Sequence, residues 1–210
     1  MSDRMFTSMP PDREALEEFA DVLSDRAPQV ERDIARLKKV PGDRELIANL
    51  FRAIHNIKGD AALCKFDLGV AVAHPIETLM SRYRDGQLPF TDILAETILL
   101  AIDRLELATE CLTHQKPVEH LQLATLVDGL DSISQAPATE VDHLSRKVIE
   151  AVTGFTPIAS DAAPKAPQPQ PRAERPTPAS ADLQFFRSLA HQFESRSPLF
   201  RGRTMRILRL

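Results

Sequence analysis

Apolar residues recur at helical spacing through most of the sequence, and short polar breaks separate one apolar stripe from the next. The four longest stripes cover residues 16–37, 50–61, 68–80 and 94–112, with turn-forming pairs at Pro41 and Gly42 and at Asp85 and Gly86. The composition also favours helices over sheets, because only 5% of the residues are aromatic, Trp is absent and Gly occurs 7 times. The sequence therefore predicts an all-α protein built on an antiparallel four-helix bundle with short connections.

Residues that typically begin helices stand between the stripes. We expect the second, third and fourth helices to have as their N-caps Asp43, Asp67 and Thr91, respectively. Pro28 falls within the first stripe, where it either kinks one long helix or begins a second one. We expect the bundle to span residues 12–115.

Two further helical patterns follow the bundle, at residues 117–134 and 139–152. Pro117 stands at the start of the first pattern. Thr139 and Asp142 resemble a capping box at the start of the second, with Asp in place of the usual Glu. We predict that residues 116–154 form one or two accessory helices packed on the bundle.

The two ends of the chain differ in composition from the helical part. Residues 1–11 contain no periodic pattern and are expected to be a flexible tail. Residues 155–181 contain seven prolines among Ala, Gln and Ser, which predicts an extended linker. Residues 182–210 recover a helical pattern and carry six arginines. This last segment is either a basic amphipathic helix for nucleic acid or anionic lipid, or the start of a truncated further domain.

The overall charge and the remaining residue types argue against several functions. The formal net charge of −4 indicates neither nucleic acid nor an anionic membrane as the partner of the whole chain. There is no signal-peptide pattern and no apolar stretch of membrane-spanning length, so the cytoplasm is the expected location. Cys64 and Cys111 lie in apolar helical patterns, which favours small hydrophobic residues over a disulfide or a metal site. Because a Gly-rich phosphate loop is also missing, we expect no ATP site and no cofactor.

The second stripe carries a histidine on its polar side. Ile54 and Ile57 belong to the buried face, whereas His55 lies off it and should reach solvent. Lys58 and Gly59 follow at i+3 and i+4, beside His55 on the helix surface. A glycine inside a helix costs about 1 kcal/mol relative to alanine, and clearance for a partner or a phosphoryl group would be one reason for it. By itself, a surface histidine beside a lysine is more often structural than functional.

Two residues of the next helix favour a functional role for His55 over a structural one. His74 follows His55 by 19 residues, and Glu77 follows it by 22. His74 and Glu77 are three residues apart and therefore share one face of the third helix. A short turn between two antiparallel helices would bring that face against His55.

This pattern resembles the histidine phosphotransfer (HPt) domain, and within it the P1 type found at the start of chemotaxis kinases. The segments that carry the likeness are FRAIHNIKG at 51–59, AHPIE at 73–77 and RYRDG at 82–86. The similarity extends from Asp12 to Cys111, close to half of the chain, and motif, spacing and helical context agree.

The resemblance implies a role for each residue of the pattern. His55 is then the phosphorylated residue, and Glu77 accepts a hydrogen bond from its other ring nitrogen. Lys58 offsets charge on the phosphoryl oxygens, and Gly59 leaves room for the partner. His74 either donates to the same network or fills the seam between the helices.

The sequence departs from the family pattern in three places. Asp60 stands where the family usually has a small neutral residue, and it adds a negative charge one position past the phosphate-facing turn. Cys64 and Lys65 occupy a stretch that is often rich in Gly and Phe. Pro75 stands where the family tolerates a helix former, and it removes one backbone donor, which favours a kink.

The resemblance implies a histidine phosphotransfer protein of a two-component phosphorelay. Such a protein accepts a phosphoryl group on His55 from a histidine kinase catalytic domain and passes it to the aspartate of a response-regulator receiver domain. The chain would then be a phosphocarrier without an ATP site of its own, and not an enzyme. The alternative is a phosphorylation-independent adaptor that docks partners and regulates a C-terminal effector domain.

Overall fold

The computed structural model describes residues 12–157, in which every regular element is a helix. In chain order the α-helices are α1 (Arg13–Lys39), α2 (Arg44–Leu63), α3 (Asp67–Arg84), α4 (Asp92–Thr113), α5 (Leu123–Gln135) and α6 (Ala138–Thr153). None of these helices combines the length and the apolarity needed to span a membrane. The predicted tail at residues 1–11, the linker from residue 158 onward and the basic segment lie outside the described residues.

Helices α1 to α4 pack as a four-helix bundle. Helix α2 lies against α1 and α3, and α4 closes the bundle by contacting the same two helices. All four contribute fully buried side chains to one core, among them Phe19, Ile34, Ile54, Ile57, Ile76, Leu79, Leu94 and Ile98. These positions belong to the apolar stripes of the sequence, so burial of the stripes explains why the helices associate. The predicted all-α bundle is confirmed.

Most helix ends follow the predicted turn residues. Asp43 caps α2, because its carboxylate accepts hydrogen bonds from two backbone N–H groups in the first turn. The Thr91 hydroxyl caps α4 by accepting from the N–H of Leu94 at 3.2 Å. The prediction that Asp67 caps α3 is wrong, since Asp67 is the first residue of that helix and Phe66 precedes it at the N-cap. An acidic residue in the first turn still interacts favourably with the helix dipole.

Two prolines lie inside helices without ending them. Pro28 lies within α1, so the first stripe forms one helix of 27 residues and not two. Pro75 is buried within α3, which continues to Arg84. A proline in a helix interior removes one backbone donor. Burial of the apolar face on both sides of each proline stabilises the helices in spite of this loss.

Helices α5 and α6 pack on each other and on the outside of the bundle, α5 against α3 and α6 against α4. Helix α5 does not begin at Pro117 as predicted. A 3-10 turn at Glu119–Leu121 comes first, and Gln122 has a positive φ of 55°. A residue in the left-handed region interrupts a right-handed helix, so α5 begins only at Leu123.

The predicted capping box at the start of α6 is also wrong. No side-chain hydrogen bond caps the first turn of this helix. Asp142 instead accepts a hydrogen bond of 2.6 Å from Thr91, whose hydroxyl also caps α4. Arg82 makes a comparable link between α3 and α5, because its Nη1 donates to the carbonyl of Ser134 at 2.9 Å. The accessory helices are thus joined to the bundle by polar contacts as well as by apolar burial.

Helices α2 and α3, which carry the predicted site, approach each other closely. A Cβ built at Gly69 of α3 would lie only 2.7 Å from the Cβ of Ala61 in α2. Glycine is therefore what allows the close approach near the turn between the two helices. At their other end, the N–H of Gly42 donates to the hydroxyl of Tyr83 at 3.1 Å. These two contacts lie near opposite ends of the α2–α3 interface.

Candidate functional site

His55 lies near the middle of α2, on the side that faces solvent. Its side chain is 58% exposed, whereas the neighbouring Ile54 and Ile57 are fully buried. This is the orientation that the apolar stripe of α2 predicts. The core therefore determines which way the imidazole points.

Glu77 of α3 contacts both His55 and Lys58. Its Oε1 lies 2.6 Å from Nδ1 of His55, and its Oε2 accepts a hydrogen bond from the Lys58 ammonium. The Glu77 side chain is only 13% exposed, so its carboxylate is largely shielded, whereas water reaches the His55 side of the first contact. The packing of α3 on α2 brings Glu77 across 22 residues of sequence to His55.

The charge of Glu77 determines which nitrogen of His55 carries the proton. Burial by itself raises the pKa of the Glu77 carboxyl, but hydrogen bonds from Lys58 and His55 outweigh it, and the pKa lies below its ordinary value of 4.5. Glu77 is therefore ionised at neutral pH, and an ionised carboxylate only accepts hydrogen bonds. Nδ1 of His55 must be the donor, which leaves Nε2 unprotonated in the neutral ring. The exposed imidazole thus has a free lone pair on the edge opposite Glu77.

Lys58 lies closer to Glu77 than His74 does. The Lys58 side chain is 27% exposed, and its ammonium is held at Glu77 within one helical turn of His55. Nδ1 of His74 lies 4.0 Å from Oε2 of Glu77, which is too long for a hydrogen bond. The His74 side chain is also 65% exposed. Lys58 is therefore part of the hydrogen-bonded network, and His74 lies at its edge.

Gly59 lies on the same face of α2, one turn after His55. A Cβ built at Gly59 would have no neighbouring side chain or other helix within 4 Å. Packing in the described part of the chain therefore does not require a glycine here, unlike at Gly69. Its effect is to keep the surface beside the imidazole flat and open.

The additional negative charge of Asp60 is paired with a residue of α1. Nε of Arg26 lies 3.1 Å from Oδ2 of Asp60, close enough for an ion pair although the two groups are not aligned as a hydrogen bond. Arg26 thereby offsets the charge that the sequence places next to the site. The pair joins two different helices, so no local spacing indicated it.

Two contacts beside His55 were not predicted. The ring of Phe51 stacks on the imidazole, with 6.2 Å between the ring centroids. The guanidinium carbon of Arg84 lies 4.7 Å from the centroid of the Phe51 ring. The i,i+4 spacing of Phe51 and His55 was a signal for the first contact. The second contact depends on the packing of α3 against α2.

The arrangement brings three chemical groups together beside one exposed imidazole. Nε2 of His55 has a free lone pair, Glu77 contacts the opposite ring nitrogen, and the Lys58 ammonium lies at Glu77. A nucleophile oriented by a third group is the pattern expected of a side chain that accepts a group covalently. Its exposure suits exchange of that group with another macromolecule.

Part of the chain is similar to known proteins. Residues 11–108 match the Hpt domain family. The chain is 26% identical over 94 residues to the sensor histidine kinase CheAY of Helicobacter pylori and 22% identical over 150 residues to the chemotaxis protein CheA of Bacillus subtilis. These alignments cover 45% and 64% of this chain. They cover only 12% and 22% of the two relatives, so the chain corresponds to a small part of each.

One solved structure supports the same bundle. It is the crystal structure of the phosphorylated P1 domain of CheA3 in complex with CheY6 from R. sphaeroides. The TM-score is 0.50 at 25% sequence identity, and the match covers 59% of this chain and 97% of the matched chain. The comparison agrees with the fold predicted for the first four helices.

Proposed function

Because residues 11–108 form an Hpt domain, we propose that this chain carries phosphoryl groups in a two-component phosphorelay. It accepts the group on His55 from a histidine kinase catalytic domain and passes it to an aspartate of a receiver domain. The observation that carries the proposal is the 2.6 Å contact between Nδ1 of His55 and Glu77. This contact leaves the exposed Nε2 unprotonated and ready to react. We place the relay in the cytoplasm, where an ATP-dependent donor would act.

Each proposed transfer is a displacement at phosphorus. In the first, the Nε2 lone pair forms an N–P bond, and the bond from phosphorus to the bridging oxygen of the donor nucleotide breaks with its electron pair. In the second, a carboxylate oxygen of the receiver bonds to phosphorus, and the N–P electron pair returns to Nε2. His55 gains positive character when Nε2 is phosphorylated and Nδ1 keeps its proton. The ionised Glu77 stabilises that charge.

Supporting roles fall to the neighbours of His55. The Lys58 ammonium, which is hydrogen-bonded to Glu77, offsets negative charge on the phosphoryl oxygens. Gly59 leaves space for the receiver, since no other part of the described chain fills it. His74 lies 4.0 Å from Glu77, and we expect its substitution to have the smallest effect.

The receiver is proposed to approach over the exposed face of α2. His55, Gly59 and Leu63 follow one another at intervals of four residues and therefore lie along one side of the helix. Leu63 is 83% exposed, a large apolar side chain in contact with solvent at the end of this face. The phosphorylated P1 domain solved in complex with CheY6 supports a partner of this kind.

The test is phosphorylation of the purified chain by the catalytic domain of a chemotaxis-type histidine kinase with labelled ATP. We expect a label that is lost in acid, and its transfer to a receiver domain added afterwards. His55→Gln should abolish labelling, and His114→Gln, which changes an exposed histidine at the end of α4, should not. If no label appears although kinase or receiver still binds, the phosphorylation-independent adaptor would be the better description.

A further inference from the structure

Phe51 lies beside the ring of His55 in α2. The two residues are separated by four positions in α2, so their side chains lie on the same face. Their rings are 15° from parallel with centroids 6.2 Å apart, an offset-stacked arrangement. Phe51 is half-buried and packs against the core, so this neighbour of the imidazole is itself anchored.

Arg84 holds Phe51 from the end of α3. Its guanidinium carbon lies 4.7 Å from the centroid of the Phe51 ring, within the range of a cation–π interaction. Asp85 and Ser81 orient the same guanidinium, because each accepts a hydrogen bond from it at 3.1 Å. The guanidinium is therefore oriented over the ring by Ser81 of α3 and by Asp85 at its C-cap.

Glu77 alone does not fix the orientation of the imidazole. One hydrogen bond at Nδ1 restrains a single edge of the ring, and a side chain that is 58% exposed remains able to tilt about that bond. A parallel aromatic ring beside it limits this tilt. The lone pair of Nε2 has to point along the bond that forms, so the plane of the ring affects the rate of transfer.

We propose that Phe51 is a positioning residue for phosphoryl transfer and that Arg84 keeps Phe51 in place. The inference rests on the proposed function of His55. Phe51 acts through the imidazole and does not contact the donor or the phosphoryl group. A purely structural Phe51 would contribute burial to α2 and nothing to the orientation of His55.

Single-turnover phosphorylation of full-length variants tests this role. Phe51→Leu keeps an apolar side chain but removes the ring, and we expect it to slow labelling of His55 roughly tenfold, because small misplacements cost up to about 10²-fold. Phe51→Tyr should stay close to the wild-type rate, and Arg84→Gln should fall between the two. Phe90→Leu is the matched control, because Phe90 is also half-buried but packs on Tyr83 at 5.2 Å.

Imidazole ¹⁵N NMR of His55 supplies a readout that a structural role would not change. In the wild type, we expect one set of signals with the proton on Nδ1. In Phe51→Leu, we expect averaging or a second set, at a melting temperature similar to that of Phe90→Leu.

A wild-type labelling rate with unchanged His55 signals in Phe51→Leu would overturn the inference. So would an equal loss of rate in Phe90→Leu, since burial alone would then account for it. Absence of any label on the wild-type chain would contradict the proposed function instead. In that case, the NMR comparison still decides whether Phe51 orients the ring.

Discussion

Replacing Glu77 by glutamine tests the centre of the site with the least change in shape. The two carboxylate oxygens of Glu77 accept from His55 and from Lys58. A glutamine of the same size has one oxygen acceptor and one NH₂ donor. Either the Nδ1–H of His55 or the Lys58 ammonium would then face the NH₂ group of the glutamine, which is also a donor. The variant loses a charge and a hydrogen bond without creating a cavity.

The magnitude follows from the charge of Glu77. A hydrogen bond to a charged group contributes about 1.5–3 kcal/mol, and the carboxylate end of this one is largely shielded from water, since Glu77 is only 13% exposed. The contact is strongest when the His55 ring becomes positive on phosphorylation. Since about 1.4 kcal/mol corresponds to a factor of ten in rate, we expect transfer through His55 to slow roughly 10- to 100-fold.

The same substitution should change how stability depends on pH. The folded-state pKa of Glu77 lies below 4.5, so its ionised form stabilises the fold above the unfolded-state pKa. This contribution is lost as the pH falls through the folded-state value. Below about pH 4.5, we therefore expect the melting temperature of the wild type to fall more steeply than that of Glu77→Gln. The difference between the two curves isolates Glu77 from the other carboxylates.

A single-turnover phosphotransfer assay measures the rate effect, with His55 present in every variant. Glu140→Gln is the control, since it removes an exposed carboxylate of α6 away from the site. The imidazole ¹⁵N signals of His55 are recorded in parallel. If Glu77→Gln accepts phosphate at the wild-type rate and the His55 signals do not change, Glu77 does not act on His55. The reasoning from the α2–α3 contact would then be refuted.

His55→Gln should lose acid-labile labelling and keep a nearly unchanged circular dichroism melting curve, because the side chain is exposed; a retained label would remove His55 as the acceptor. Gly59→Ala should increase the free energy of unfolding by about 1 kcal/mol, since its Cβ would meet no atom within 4 Å. Gly59→Ala should also slow phosphoryl transfer to the receiver. Unchanged transfer would argue that Gly59 is not needed to leave room for the receiver. Gly69→Ala should destabilise the fold by about 1–3 kcal/mol, because its Cβ would lie 2.7 Å from that of Ala61. Denaturant titration compares the two glycine variants, and a stabilised Gly69→Ala would contradict the close packing of α2 and α3.

Helix ends show how far local patterns can be trusted in this chain. Asp43 and Thr91 cap their helices as predicted, since each side chain reaches the N–H groups of the turn that follows. Asp142 has the spacing of a capping box, with Asp in place of the usual Glu, but it bonds to Thr91 at the N-cap of α4. Asp67 was misassigned by one position, because Phe66 at the N-cap is buried in the core. Tertiary partners compete with local ones for the same polar groups.

Some positions in the site could likewise be predicted from local spacing, whereas others depend on tertiary packing. The positions of Lys58 and Gly59 beside His55 could be predicted, since residues at i+3 and i+4 are always neighbours on a helix. The spacing to Glu77 only indicated that a contact was possible, and the roles of these residues in phosphoryl transfer stay predictions. Neither the ion pair of Asp60 with Arg26 nor the position of Arg84 over Phe51 has a local signal.

The sequence by itself determined which face of each helix is buried and hence that His55 faces solvent. The reason is that the 3.6-residue turn is a property of the backbone, so the spacing of apolar residues shows the buried side of a helix without reference to any other part of the chain. Only the tertiary structure decided which atoms meet across α2 and α3. That depends on how closely two helices approach, and here the missing side chain of Gly69 against Ala61 sets the approach that brings Glu77 to His55.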